Sequence, residues 1–235
     1  LLFSFLAHFL LTVTHSSLPD LIRAIEQADA PASLIGAVRA LAAVRAVESI
    51  PTLIQVLGFN NPGAAIAAVD GLVQLGEVAV PPLLTQIDGY NYGARAYAIR
   101  ALAAIADPRS LEVLLSAAAT DFAPSVRRAA TKGLGYLQWS CLPAAQIAEA
   151  QTQALQTLLT VSQDLDWAIR YAAVVGLQAL AEAIATQETD AFRAAICDRL
   201  ETMTQTDPDA ATQARAKFAL QQVQAVLSPP VAVNR

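Results

Sequence analysis

Three of the chain's five tyrosines, Tyr90, Tyr92 and Tyr97, fall within eight residues, and Arg95, Arg100 and Arg109 stand among and behind them in QIDGYNYGARAYAIRALAAIADPR, Gln86 to Arg109. A phenol offers a flat face and a hydroxyl together. A guanidinium offers a planar fork that bonds a carboxylate at two points. The residue types gathered here suit a surface that faces a ligand. The alternative is packing, with the tyrosines filling gaps at a helix start. Hydroxylated aromatics clustered in a loop favour the first reading, because they are costlier to bury than leucine or phenylalanine.

Other chemistries are poorly represented. No H-E-x-x-H, G-x-x-x-x-G-K-[ST] or C-x-x-C motif occurs, so no metal site is expected. The two histidines, His8 and His15, lie at the extreme N-terminus, which makes a catalytic histidine improbable. Cys141 and Cys197 are too few for a disulfide scaffold and read as small buried apolar residues in a reducing cytoplasm. A net charge of −5 with no basic stripe argues against a nucleic-acid partner. The opening LLFSFLAHFLLTV is too short for a bilayer-spanning helix, which needs roughly 20 apolar residues, and has no basic residue ahead of it. No membrane association is expected. Translation is expected to begin at Val13, with residues 1–16 an apolar extension outside the fold; the intact mass of the natively produced protein tests this.

The elements that must position these residues follow from composition and period. Hydrophobic residues make up 55% of the chain but aromatics only 6%, so its apolar character is mostly that of Ala, Leu, Val and Ile. Ala and Leu are strong helix formers, which predicts an all-α protein. A small residue followed by leucine recurs at Leu41, Leu72, Leu102, Leu134, Leu177 and Leu220, at spacings of 31, 30, 32, 43 and 43. Such periods belong to helix-pair solenoids. About six pairs are expected over residues 17–228, with a tail at 229–235. An extended connection in YLQWSCLPAAQ divides the array into two sub-blocks near 136–146.

In this register Arg95, Arg127 and Arg170 lie seven residues before their leucines, and Asp121, Asp164 and Asp207 lie thirteen before. Each aspartate is expected to accept first-turn amide hydrogens. Each arginine is expected to reach the loop of an adjacent repeat, as a ladder that sets the stacking register. The shorter first helices, SIPTLIQVLG, VAVPPLLTQI and DPRSLEVLLSAA, carry proline near the first turn, where a missing amide hydrogen costs little. Trp139 and Trp167 are expected as packing anchors.

The D-P-R before a first helix and V-R-x-A-A at the start of a second resemble the HEAT-like repeats of phycobilisome lyases. NNPGAAIAAVDGL, DGYNYGARAYAIRALAAIADPRSLEVLLSAA and DFAPSVRRAATKGLG resemble, more narrowly, the beta (F-type) subunits of heterodimeric phycocyanobilin lyases, over roughly Ser17 to Leu227. The resemblance implies a lyase that joins phycocyanobilin to a cysteine of the phycocyanin alpha chain through a thioether, working with an E-type partner subunit. It implies no resident cofactor, with phycocyanobilin bound as substrate, and a cyanobacterial cytoplasm. The attacking thiol would belong to the acceptor, so this chain needs no nucleophile of its own. It would supply contacts for a conjugated tetrapyrrole and its two propionates.

Second helices of a solenoid usually line its concave face, and positions six and two before the register leucine share one side of the helix. That stripe reads Ile35 and Arg39, Ile66 and Asp70, Ala96 and Arg100, Arg128 and Lys132, Tyr171 and Val175. Its cationic middle, with Tyr90, Tyr92 and Tyr97, is the candidate bilin or acceptor surface. Asp70 and Asp88 are candidates to hydrogen-bond pyrrole nitrogens. The isomerising relatives of this family carry an adjacent His-Cys pair, which this chain lacks, so simple attachment is expected. Two rival functions remain open on sequence: a scaffold that binds only a protein, and an enzyme acting on free bilin.

Overall fold

The computed structural model describes residues 17–87, 92–184 and 190–227. Among them are twelve α-helices and no strand. The chain divides into two compact units, Leu1–Ala101 and Leu102–Arg235. The first holds α1 (Leu18–Glu26), α2 (Pro31–Val44), α3 (Ile50–Val56), α4 (Pro62–Leu75), α5 (Val80–Gln86) and most of α6 (Tyr92–Ile105). The second holds the end of α6, then α7 (Leu111–Thr120), α8 (Pro124–Tyr136), α9 (Ala144–Val161), α10 (Trp167–Ala183), α11 (Asp190–Thr206) and α12 (Ala210–Leu227). The connection between Tyr136 and Ala144 carries only the 3-10 turn Trp139–Cys141 and lies inside the second unit. The expected N-terminal extension and C-terminal tail fall outside the described residues.

Each helix pair packs because its apolar side chains recur at helical spacing. Leu41, Leu72, Leu102, Leu134 and Leu177 have no exposed surface. Each buried leucine contributes about 1.5–3 kcal/mol. Leu220, on α12, is only half-buried. Within the first unit α2 packs on α4; within the second α8 packs on α10 and α10 on α12. The small residues of the repeat allow these approaches. A Cβ on Gly133 would stand 2.6 Å from Cβ of Ala103, and one on Gly135 would lie 2.2 Å from the carbonyl oxygen of Gly176. Short 3-10 turns, Val47–Ser49, Gly76–Ala79 and Pro108–Ser110, lead into α3, α5 and α7. Proline opens helices of both classes, including α2, α4 and α8.

By length and composition residues Pro62–Gln86 could cross a bilayer. They form instead two helices, α4 and α5, broken at the turn Gly76–Ala79, with half of the apolar window buried in the protein.

The ladder is present in the second unit. Nη2 of Arg127 donates to both oxygens of Asp164 at 3.0 and 2.9 Å. Nε and Nη2 of Arg170 donate to the two oxygens of Asp207, each at 2.8 Å. Arg170 also donates through Nη1 to the carbonyls of Asp164 and Leu165, at 2.9 and 3.1 Å. The Arg170 and Asp207 side chains are 9% and 3% exposed, against 21% and 19% for Arg127 and Asp164. Hydrogen bonding to Asp207 raises the Arg170 guanidinium above its ordinary value against the effect of burial. Burial pushes the Asp207 carboxyl upward, but hydrogen bonds from Arg170 and the Asp209 amide outweigh it and hold the group below the usual carboxylate range.

The aspartates do not cap the helices as expected. Asp121, Asp164 and Asp207 accept from the amides of Ala123, Asp166 and Asp209, two residues on, at 2.8 to 2.9 Å. These are turns that shape the loop. Capping falls to Asp166 and Asp209, which accept from Ala168 and Thr212, both at 2.8 Å. A further tie, absent from the sequence register, joins Arg199 on α11 to the hydroxyl and carbonyl of Ser162, at 2.6 and 2.8 Å.

Candidate functional site

The solvent-facing side of the second helices is set by what their other sides bury. On α8, Val126, Ala130, Thr131, Gly133, Leu134 and Gly135 turn inward. Arg128, Lys132 and Tyr136 are then left outside at successive steps of four. On α4 the same logic leaves Ile66 and Asp70 exposed, and on α6 it leaves Arg100 exposed with Tyr97 half-buried beside it. Arg39 is exposed on α2, whereas Tyr171 and Val175 on α10 are half-buried.

Two of these helices pair a cation with an aromatic ring. Cζ of Arg100 stands 5.7 Å from the Tyr97 ring centroid, and Nζ of Lys132 stands 5.7 Å from that of Tyr136. Such contacts contribute about 0.5–1 kcal/mol at exposed sites and extend a cation along its helix. Asp70, Tyr97 and Arg100 belong to the first unit, Arg128 and Lys132 to the second. Asp88 and Tyr90 lie outside the described residues. Tyr92 opens α6, and its side chain also lies outside them.

Other sequence expectations divide. Trp139 is 5% exposed and anchors its turn, but Trp167 is 52% exposed at the first position of α10. Apolar type alone did not distinguish a helix-opening position from a core one. Cys141 is exposed and Cys197 half-buried, so neither is a core residue. Burial, with Asp198 and Glu201 nearby, pushes the Cys197 thiol upward and makes it a poor nucleophile. No group of three His, Cys, Asp or Glu side chains positioned for a metal occurs among the described residues. A cleft of about 440 Å³ is lined by Ile22, Ile25, Leu34 and Phe59 together with Glu26 and Gln55, and includes none of the candidate residues.

Sequence reasoning missed Tyr136, which is 50% exposed beneath Lys132. Its position, four residues beyond a stripe cation, was available as a signal.

A family model described as HEAT repeats matches residues 80–147, and one described as PBS lyase HEAT-like repeat matches residues 34–59. The phycocyanobilin lyase subunit beta of Nostoc sp. is 56% identical over 203 residues, which cover 86% of this chain and 98% of that protein. The phycocyanin alpha phycocyanobilin lyase CpcF of Synechocystis sp. is 46% identical, across 90% of this chain and 97% of its own. A chain in the solved complex of CpcE and CpcF of phycocyanin lyase from Nostoc sp. is similar at 59% identity and a TM-score of 0.68, covering 74% of this chain and 99% of that one. A designed armadillo repeat protein, 18% identical with a TM-score of 0.56 over 88% of this chain and all of its own, shares the fold alone.

Proposed function

This chain belongs to the family of phycocyanobilin lyase beta subunits, HEAT-repeat proteins of phycobilisome maturation, and from that premise we propose how it works. It is one subunit of a heterodimeric lyase, acting with an E-type partner to join phycocyanobilin to a cysteine of the phycocyanin alpha chain. The observation that carries this is likeness along nearly the whole length of such subunits.

The reaction is an addition. The acceptor thiol forms one carbon–sulfur bond at the ethylidene group of ring A, and its proton passes to the ring carbon. Nothing is oxidised and nothing leaves. The chain's task is to bind and orient the pigment or its acceptor, with phycocyanobilin as substrate and no resident cofactor. Asp70, Asp88, Tyr90, Tyr92, Tyr97, Arg100, Arg128 and Lys132 are the contacts proposed for bilin or acceptor. The exposed carboxylate of Asp70 and the exposed guanidinium of Arg100 beside the Tyr97 ring support the assignment. Attachment proceeds without isomerisation, in keeping with the lack of an adjacent His-Cys pair. The work takes place in the cytoplasm.

The test is co-expression of the full chain with an E-type subunit, the phycocyanin alpha apoprotein and a phycocyanobilin-producing pathway, followed by zinc fluorescence of the denatured alpha chain. Covalent pigment that requires both lyase subunits is expected. Unpigmented alpha chain despite a soluble heterodimer would overturn the proposal in favour of a protein scaffold.

A further inference from the structure

Helix α8 carries three cations, and only Arg127 forms an ion pair with a described residue. Arg127 is committed to Asp164. Arg128 and Lys132, both exposed, have no hydrogen bond or ion pair with a described residue. No acidic residue stands three or four positions from either, so this is not a solvated face of alternating charge. They stand four apart, where like charges on a helix repel. No neighbouring carboxylate on the helix offsets this repulsion, although the chain's net charge is −5. A bound dianion would.

Tyr136 continues the same line, with Lys132 held over its ring at 5.7 Å. At a rise of 1.5 Å per residue, Arg128 and Lys132 are offset by about 6 Å along the helix and Tyr136 by about 6 Å more. Two carboxylates on one edge of a flat conjugated molecule, with an aromatic face beyond them, match that order of groups.

We infer that Arg128 and Lys132 clamp the two propionates of the bilin while Tyr136 lies against its conjugated system, so that the tetrapyrrole is held along α8. This deepens the lyase reading and rests on it. The fork of Arg128 takes one carboxylate at two points, and the ammonium of Lys132 takes the other.

The experiment compares phycocyanobilin with its dimethyl ester, which keeps the chromophore and removes both charges. Each pigment is titrated by absorbance into the purified heterodimer, as wild type, R128Q/K132Q and Y136A, and the attachment KM is measured for both. For R128Q/K132Q a loss of affinity of at least tenfold for the free acid is expected, with the ester within twofold of wild type. For Y136A affinity for both pigments is expected to fall. An equal loss for acid and ester in R128Q/K132Q would overturn the clamp, since the cations would then serve the acceptor or the fold. No loss for either would mark a solvated face and overturn it too. If wild-type heterodimer binds pigment but attaches none, the lyase reading fails while the titration still decides the clamp.

Discussion

The substitution Asp207→Asn probes the ladder where the structure makes it strongest. Arg170 meets both oxygens of Asp207 at 2.8 Å, with side chains 9% and 3% exposed. An asparagine keeps the shape and one acceptor but removes the charge and turns amide hydrogens toward the guanidinium. Breaking a buried pair from one side costs about 3–5 kcal/mol, because the remaining charge stays out of water uncompensated. Arg170 keeps its bonds to the carbonyls of Asp164 and Leu165, which places the expected loss near the lower end, about 3 kcal/mol. Asp164→Asn removes the partner of the more exposed Arg127 and should cost about 1 kcal/mol. Urea unfolding followed by circular dichroism at pH 7 measures both. The double variant R170M/D207N, which removes both charges but keeps an acceptor for the Asp209 amide, should recover much of the loss. Since the folded-state Asp207 carboxyl is depressed, its contribution is complete above the ordinary carboxylate pKa of about 4 and is lost as pH falls through the lower folded value. The gap between wild type and D207N should therefore close on acidification below about pH 4. A D207N cost no larger than that of D164N, or a double variant as unstable as D207N, would refute the reasoning.

Gly135→Ala should cost more than 2 kcal/mol or abolish soluble expression, because its new methyl meets the Gly176 carbonyl at 2.2 Å; Gly36→Ala, with nothing within 4 Å, should stabilise by about 0.5–1 kcal/mol in thermal melts. The double variant C141S/C197S should retain wild-type attachment rates, as the acceptor supplies the thiol; a tenfold loss in the zinc-fluorescence assay would contradict that. Arg100→Gln and Tyr97→Phe should lower attachment several-fold while leaving the melting temperature within about 2 °C, since Arg100 is exposed and the tyrosine ring is kept. A drop in melting temperature matching the drop in activity would assign the pair to the fold.

The sequence by itself determined the all-α class, the repeat, the register leucines and the arginine ladder of the second unit. Apolar residues at helical period must turn inward together, and a residue type recurring with the repeat must meet the same neighbour each time. Arg170 and Asp207 were legible for that reason. Tertiary structure alone decided the matters that depend on distances between helices and on the ends of elements. Asp164 shapes a loop while Asp166, two residues on, caps α10, because the helix begins two residues later than the register implied. Trp167 stands half in solvent at a helix start, and Leu220 is half-buried on the last described helix. Gly135 is compelled by a backbone on another helix, which no local pattern announces. The candidate site shows the same division. Periodicity placed Arg128 and Lys132 on an outer face, but only the folded helix showed that neither forms an ion pair with a described residue and that Tyr136 lies beneath Lys132. Burial propagates with the helical period and is written in the chain, whereas pairing depends on which groups other elements bring within a few ångströms.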